Sequence, residues 1–254
     1  MTANPVGDSG EPELLWRPDP EWVARSSVGR FRTWLHAERG IEVEGYQQLW
    51  QWSVDDLPGF WSAVAEFLGV RFHDTPRAVL EGPTMPGARW FPGATLNYAE
   101  QALLVGDGKE DGALAAIFQR EDGLGEALTY GELRSRVAAA RAGLASLGVG
   151  VGDRVVALLP NTAQTLVAFL ATASLGATWS SCSPDFGARA IIERFAQIEP
   201  KVLITVDGYI YNGRTFDVQE TVQRLRTEIP SLTATVLQEY VGTGDLADGP
   251  QQVI

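Results

Sequence analysis

This chain has little of what most enzymes use for chemistry. It holds one cysteine, Cys182, and two histidines, His36 and His73. A single cysteine excludes an intrachain disulfide and makes a reducing, cytoplasmic setting the expectation. With both histidines far from Cys182 in sequence, the thiol has no evident base and reads as a small buried residue rather than a nucleophile. Cationic residues are outnumbered: 20 Lys and Arg face 32 Asp and Glu, a formal charge of −12. That balance argues against nucleic-acid binding, which needs clustered Lys and Arg, and speaks instead to solubility. No apolar run is long enough to cross a bilayer. The start, MTANPVGDSGEPELLW, lacks the basic and apolar segments of a secretory signal. There is no Walker-type loop, no H-E-x-x-H, no G-x-S-x-G and no cluster with metal-ligand spacing. Gly148-Val149-Gly150-Val151-Gly152 looks like a dinucleotide loop, but it precedes a strand instead of following one, so its glycines end a helix and turn the chain.

What is present is a patterned chain of 254 residues, 45% hydrophobic, long enough for one large domain or two small ones. Residues 1–15 are expected to form a flexible arm. Residues 16–112 read as a helical and irregular cap region, with six of the chain's eight tryptophans between Trp16 and Trp61. Packing is the favoured role for them. Asp19-Pro20 starts a helix whose apolar face is Val23, Val28, Phe31 and Leu35. Further helices are predicted over Tyr46–Trp52 and Leu57–Leu68, with Gly69 as C-terminal cap. The Pro-Gly steps of TMPGARWFPG predict turns.

Residues 113–238 alternate strands and helices. Leu114–Gln119 predicts a strand returning through Ala127 and Leu128. Thr129 and Glu132 form a capping box, and Leu133, Val137, Ala140, Leu144 and Leu147 fall on one helical face. Strands are expected at Arg154–Leu159, Ala177–Cys182, Lys201–Val206 and Leu232–Leu237. Helices are expected at Thr165–Leu175, Ala188–Ile198 and Phe216–Ile229, with Asn161 and Gln164 as a second capping box and Asp185 as a cap. The fold class is therefore α/β, a mostly parallel sheet flanked by helices. Residues 239–254 read as a polar tail with no strand.

Parallel sheets carry their chemistry in the loops that follow the strands. Pro160-Asn161-Thr162 is explained by capping. Ser180 to Asp185 gathers hydroxyls, a thiol and a carboxylate, as suits either a ligand contact or a tight turn with an N-cap. Asp207 to Arg214 offers a cation and two phenols, apt for a phosphorylated aromatic ligand. The alternative there is a β-hairpin centred on Asn212-Gly213 with Arg214 solvated.

The run from LTYGELRSRVAAARAGLASLGVGVGDRVVALLPN to ATWSSCSPDFG resembles the N-terminal part of acyl-CoA synthetases of the adenylate-forming superfamily. ARWFPGATLNYAEQALL, and ATWSSCSPDFGARAIIERFAQIEPKVLI together with GYIYNGR, are similar to the acetoacetate–CoA ligase family. YQQLWQWSVDDLPGFWSAVAEFLGV resembles that family's N-terminal cap region. The resemblance extends from about Leu15 to Leu237. It implies the N-terminal, incomplete part of the adenylate-forming large domain. It also implies a reaction with acetoacetate or a similar short acid, ATP, Mg2+ and coenzyme A. The family's Ser/Thr/Gly-rich phosphate loop ending in Lys, its adenine motif, its acidic ribose contact and its catalytic lysine domain have no counterpart in these residues. The chain is thus expected to be an N-terminal portion, inactive alone, with no catalytic residue and no metal ligand of its own.

Only CoA contacts carry over. In related acetyl-CoA synthetases the loop matching Ser183, Pro184 and Asp185 lines the CoA site, although the family's glycines are replaced here. The segment matching Tyr211 to Arg214 carries two arginines near the CoA 3′-phosphate; Arg214 matches the second and Tyr211 stands in place of the first. Three alternatives remain: a ligase for another short-chain acid, a non-catalytic CoA- or nucleotide-binding module, and a homo-oligomerising fragment using the tryptophan region.

Overall fold

The computed structural model describes residues 15–82, 84–106, 108–242 and the backbone of 251–253. The expected arm therefore lies almost wholly outside the described residues. The chain divides at Thr95 into two units.

In the first unit, Asp19 caps α1 (Pro20–Arg25), its carboxylate accepting from the Glu21 N–H at 2.7 Å. The expected continuous helix is broken at Ser26. Its hydroxyl donates to the Val23 carbonyl and accepts from the Gly29 N–H, starting α2 (Ser27–Arg39) afresh. A Cβ on Gly29 would lie 2.1 Å from the Val23 carbonyl oxygen, so only glycine admits this approach. Of the predicted apolar face, Phe31 and Leu35 are buried while Val28 is exposed. α3 (Tyr46–Asp55) and α4 (Leu57–Phe67) follow, and Gly69 takes the left-handed conformation just beyond α4. Phe31, Leu35, Leu49 and Ala63 form the core, with Trp34, Trp52, Phe60 and Phe67 packed on it. The tryptophans thus split. Trp34 and Trp52 pack, whereas Trp16, Trp22, Trp50 and Trp61 are exposed. The strands β1 (Leu80–Glu81) and β2 (Arg89–Trp90) pair antiparallel.

The second unit holds α5 (Tyr98–Leu103) and an antiparallel hairpin of β3 (Leu114–Gln119) and β4 (Gly125–Thr129). The capping box forms as expected. The Thr129 hydroxyl accepts from the Glu132 N–H, and the Glu132 carboxylate accepts from the Thr129 N–H at 2.8 Å, opening α6 (Tyr130–Ser146). Then come β5 (Arg154–Leu158), α7 (Ala163–Ser174), β6 (Thr178–Cys182), α8 (Ala188–Ala196) and β7 (Val202–Val206). The cap of α7 is Thr162, accepting from the Thr165 N–H, not the expected Asn161. Asp185 does not cap α8, which starts at Gly187 without a side-chain cap. Where a helix was expected from Phe216, the chain instead makes an antiparallel hairpin, β8 (Gly208–Tyr211) and β9 (Arg214–Asp217), before α9 (Gln219–Glu228). β10 (Ala234–Gln238) closes the expected pattern. A further strand, β11 (Gln251–Val253), pairs parallel with β10 in the stretch expected to have none.

The central sheet has the order β11-β10-β7-β5-β6, every neighbour parallel. From β5 the chain steps one way to β6, then crosses back past β5 to β7. Right-handed crossovers place helices on opposite faces when the direction reverses. Accordingly α6 packs with α7, and α8 with α9. β5 is buried from Val155 to Leu158, and β7 along its whole length. This is a doubly wound sheet whose winding reverses between β5 and β7. Ligands in such sheets bind outside the carboxyl ends of the strands at that reversal.

Candidate functional site

At the opposite, amino end of the strands the interactions are structural. Lys201 donates to the Gly148 carbonyl and pairs with Asp153 at 3.1 Å, and Arg154 caps the end of α8 through the Ile198 and Glu199 carbonyls, each 2.7 Å. The Gly150 N–H and, next, Lys201 hold the Asp153 carboxyl below the usual range.

At the carboxyl end four segments meet. The first is Pro160 to Thr162, where the carbonyl of Pro160 and the hydroxyls of Thr162 and Thr165 bond to each other. That segment is spent on capping, as its sequence suggests. The second is Ser183 to Gly187. The Phe186 N–H bonds to the Ser183 carbonyl at 3.2 Å, closing a tight turn in which Pro184 is buried while Ser183 and Asp185 are exposed. Of the tight turn with an N-cap, the turn is present and the cap is not.

The third is the β8–β9 hairpin. Asn212 and Gly213 have φ of +51° and +70°, the two-residue turn that an Asn-Gly pair favours. Tyr211 and Arg214 face each other in the ladder beside it, both exposed. The Arg214 guanidinium makes no hydrogen bond or ion pair among the described residues. The hairpin reading holds: the arm exists, centred on Asn212-Gly213, and Arg214 is solvated on it. Tyr209 in β8 stacks on Phe216 at 5.0 Å. Burial, and then the Asp185 carboxylate, push the Tyr209 phenol above its usual range. The Asp185 carboxylate of the loop after β6 thus acts electrostatically on a phenol of β8.

The fourth segment follows β10. Asp207, 1% exposed, accepts from the Tyr240 N–H at 2.7 Å and the Val241 N–H at 3.0 Å. Arg120 donates to the Tyr240 carbonyl, lies 4.8 Å from the Tyr240 ring and pairs with Asp122 at 2.6 Å. Burial pushes the Tyr240 phenol up, against the lowering effect of Arg120. A cavity of about 180 Å3 opens here, lined by Phe118, Arg120, Gln164, Gln238 and Tyr240 among others. The sequence pattern marks Arg120 only as lying between a strand and its return, and Tyr240 only as part of the polar tail. Nothing local marks them, because their partners lie on distant strands.

Cys182 is buried, its thiol pushed up by burial with Arg194 opposing. A thiol so shifted is a poor nucleophile. Among the described residues no three His, Cys, Asp or Glu side chains group as metal ligands, and no helix is long and apolar enough to cross a membrane. An apolar hollow of about 280 Å3 between α6 and α7 over β7 and β10 is lined by Ala140, Leu144, Val167, Ile204 and Val236, with Arg136, Gln164 and Gln238 also on its wall.

Comparison with known proteins agrees with the fold. Residues 107–251 match the AMP-binding enzyme family, and residues 46–102 match the acetyl-coenzyme A synthetase N-terminus. The acetoacetyl-coenzyme A synthetase of Rhizobium meliloti is 42% identical over 228 residues, 90% of this chain and 34% of that protein. The malonamoyl-CoA synthetase of Penicillium aethiopicum is 35% identical over 98% of this chain and 35% of its own length. The solved acetoacetyl-CoA synthetase of Streptomyces lividans superposes with a TM-score of 0.88 at 45% identity, covering 95% of this chain and 37% of that one. The chain spans about a third of the length of the curated relatives it matches.

Proposed function

We propose, for a chain that belongs to the AMP-binding enzyme family, that it is the N-terminal portion of an acetoacetate–CoA ligase. In that reaction the acid carboxylate attacks ATP to give an acyl-adenylate and pyrophosphate, and the CoA thiol then displaces AMP. The observation that carries the reading is the pairing of family with geometry. Arg214, exposed and with its guanidinium unpaired among the described residues, stands on the arm that follows β7, and Ser183–Asp185 is the loop that follows β6, both at the end of the sheet where this fold binds ligands.

These residues fit the CoA half of the chemistry. Arg214 would hold a phosphate oxygen through a charge-assisted hydrogen bond. The Tyr211 phenol beside it supplies a second donor. The turn at Ser183, Pro184 and Asp185 would line the path of the cofactor. Neither ATP nor Mg2+ finds a fit. No grouped acidic ligands and no phosphate loop lie among the described residues, so no step of adenylation is assigned to them. No residue of the chain is given a catalytic role, and the chain alone is proposed to be inactive.

Titration calorimetry with CoA and with 3′-dephospho-CoA tests the ligand. An exposed Arg–phosphate contact at the low end of the charge-assisted range, about 1.5 kcal/mol, gives roughly a tenfold preference for CoA. Equal affinities remove the role of Arg214. Purified chain supplied with ATP, Mg2+ and acetoacetate is expected to release no pyrophosphate, and acid-dependent release would overturn the proposed division of labour. The similarity to a malonamoyl-CoA synthetase favours a second reading of the acid. Acetoacetate and malonamate are both short acids with a carbonyl at position 3, and the proposed substrate class is drawn to include both.

A further inference from the structure

The β8–β9 arm is held at its base and not along β9, which is exposed along its whole length. At the base Tyr209 packs against the main core. Tyr209 stacks on Phe216, and Gly208 lies so close to Val241 that an added Cβ would come within 2.9 Å of the valine Cγ2. A two-stranded hairpin with no further strand is marginal by itself in water. Its tip should wander.

The tip is instead held by a carboxylate from far away in the chain. Glu121 accepts through Oε2 from the Asn212 N–H and through Oε1 from the Gly213 N–H, each at 3.1 Å. In a two-residue hairpin turn these N–H groups are unused by the ladder, so they are free to take an outside acceptor. Glu121 sits in the turn between β3 and β4, and that turn is itself anchored. Arg120 bonds to the Tyr240 carbonyl and to Asp122, and the Leu124 N–H bonds to Asp122 at 3.2 Å. An Asn-Gly pair adopts its turn without help, so Glu121 does not create the turn. What it sets is the direction of the arm, and with it Arg214, the next residue along. Both oxygens of Glu121 go to backbone N–H groups and neither to Arg214, which leaves the guanidinium free.

We propose that Glu121 is a positioning residue. It tethers the hairpin tip to the β3–β4 turn so that Arg214 is presented, unneutralised, to an anionic ligand group at the carboxyl end of the sheet. The ligand half of this inference rests on the CoA reading above; the tether does not. Glu121→Ala and Glu121→Gln variants of the whole chain test both halves separately. By NMR at low salt, amide hydrogen exchange at Asn212 and Gly213 should be on the order of tenfold faster in Glu121→Ala, and less so in Glu121→Gln, which keeps one acceptor. Exchange no faster in Glu121→Ala overturns the tether. In calorimetry, Glu121→Ala should lose most of the roughly tenfold preference for CoA over 3′-dephospho-CoA, with binding of the latter unchanged. A full preference retained despite fast exchange overturns the positioning role and leaves the Arg214 reading intact. A loss that falls equally on both ligands also overturns it, because a general loosening of the fold acts that way. If the wild-type chain shows no preference, the ligand half falls and the exchange rates alone decide the tether.

Discussion

β7 and β9 lie eight residues apart at their nearest ends and live in opposite surroundings. Every residue of Val202–Val206 is buried, between parallel neighbours on both sides. Every residue of Arg214–Asp217 is exposed, with one antiparallel partner. The first is a strand because its apolar side chains leave water on both faces of a covered sheet. The second is a strand because a tight turn folds it back onto β8 and a remote carboxylate holds the tip. Stability belongs to the first, and it is on the second that a ligand contact is proposed. The side chains that a ligand can reach are those that the core does not need.

The sharpest way to break this contrast is to cut into each strand. Leu203, the fully buried second residue of β7, leaves a cavity when shortened, so Leu203→Ala should cost about 2–5 kcal/mol in urea denaturation. A cost within a few tenths would mean that the sheet is not the core. An intermediate case is Thr129→Ala, which removes a cap written entirely in local sequence and should cost about 1 kcal/mol at neutral pH. Its pH dependence has a definite sign. The Thr129 N–H, and then its hydroxyl, hold the Glu132 carboxyl below the usual range. The stabilisation is therefore present above the ordinary carboxylate range and is lost as pH falls through the depressed value. The gap between wild type and Thr129→Ala should narrow on acidification, and denaturation curves at neutral and acidic pH would show whether it does. The smallest effect is expected in β9. Arg214→Ala should change stability by no more than about 0.5 kcal/mol, as for an exposed side chain without partners. A larger loss would place Arg214 in the fold and not in a ligand site.

Local sequence was enough wherever the determinant was local. The Thr129–Glu132 box, the α6 face of Leu133, Val137, Ala140 and Leu144, and the buried runs of β5 and β7 could all be read before any coordinates. The choice of Thr162 over Asn161 as cap could not. Both are good capping residues, and backbone geometry one position apart decided between them. The helix expected from Phe216 started late because the Asn212-Gly213 turn paired Arg214–Asp217 with β8 first. Arg214, Tyr211 and the Ser183–Asp185 loop are legible in the sequence as candidates, and all lie in segments that follow strands of the parallel sheet. Glu121 escaped notice because its partners are 91 and 92 positions away and no periodicity links them.

The order β11-β10-β7-β5-β6 also governs how the chain must assemble. No ladder in this sheet can zip up from a hairpin. Val155 waits for Val202, and Leu203 waits for Thr235. Parallel pairing needs a whole crossover before its first hydrogen bond, and closing such loops costs entropy before any contact repays it. Folding of this unit should therefore be slow for its size, with the helices formed early and the sheet last. Until β7 arrives, the apolar face of β5 has only β6 beside it. During synthesis, that is the interval in which this chain is open to aggregation.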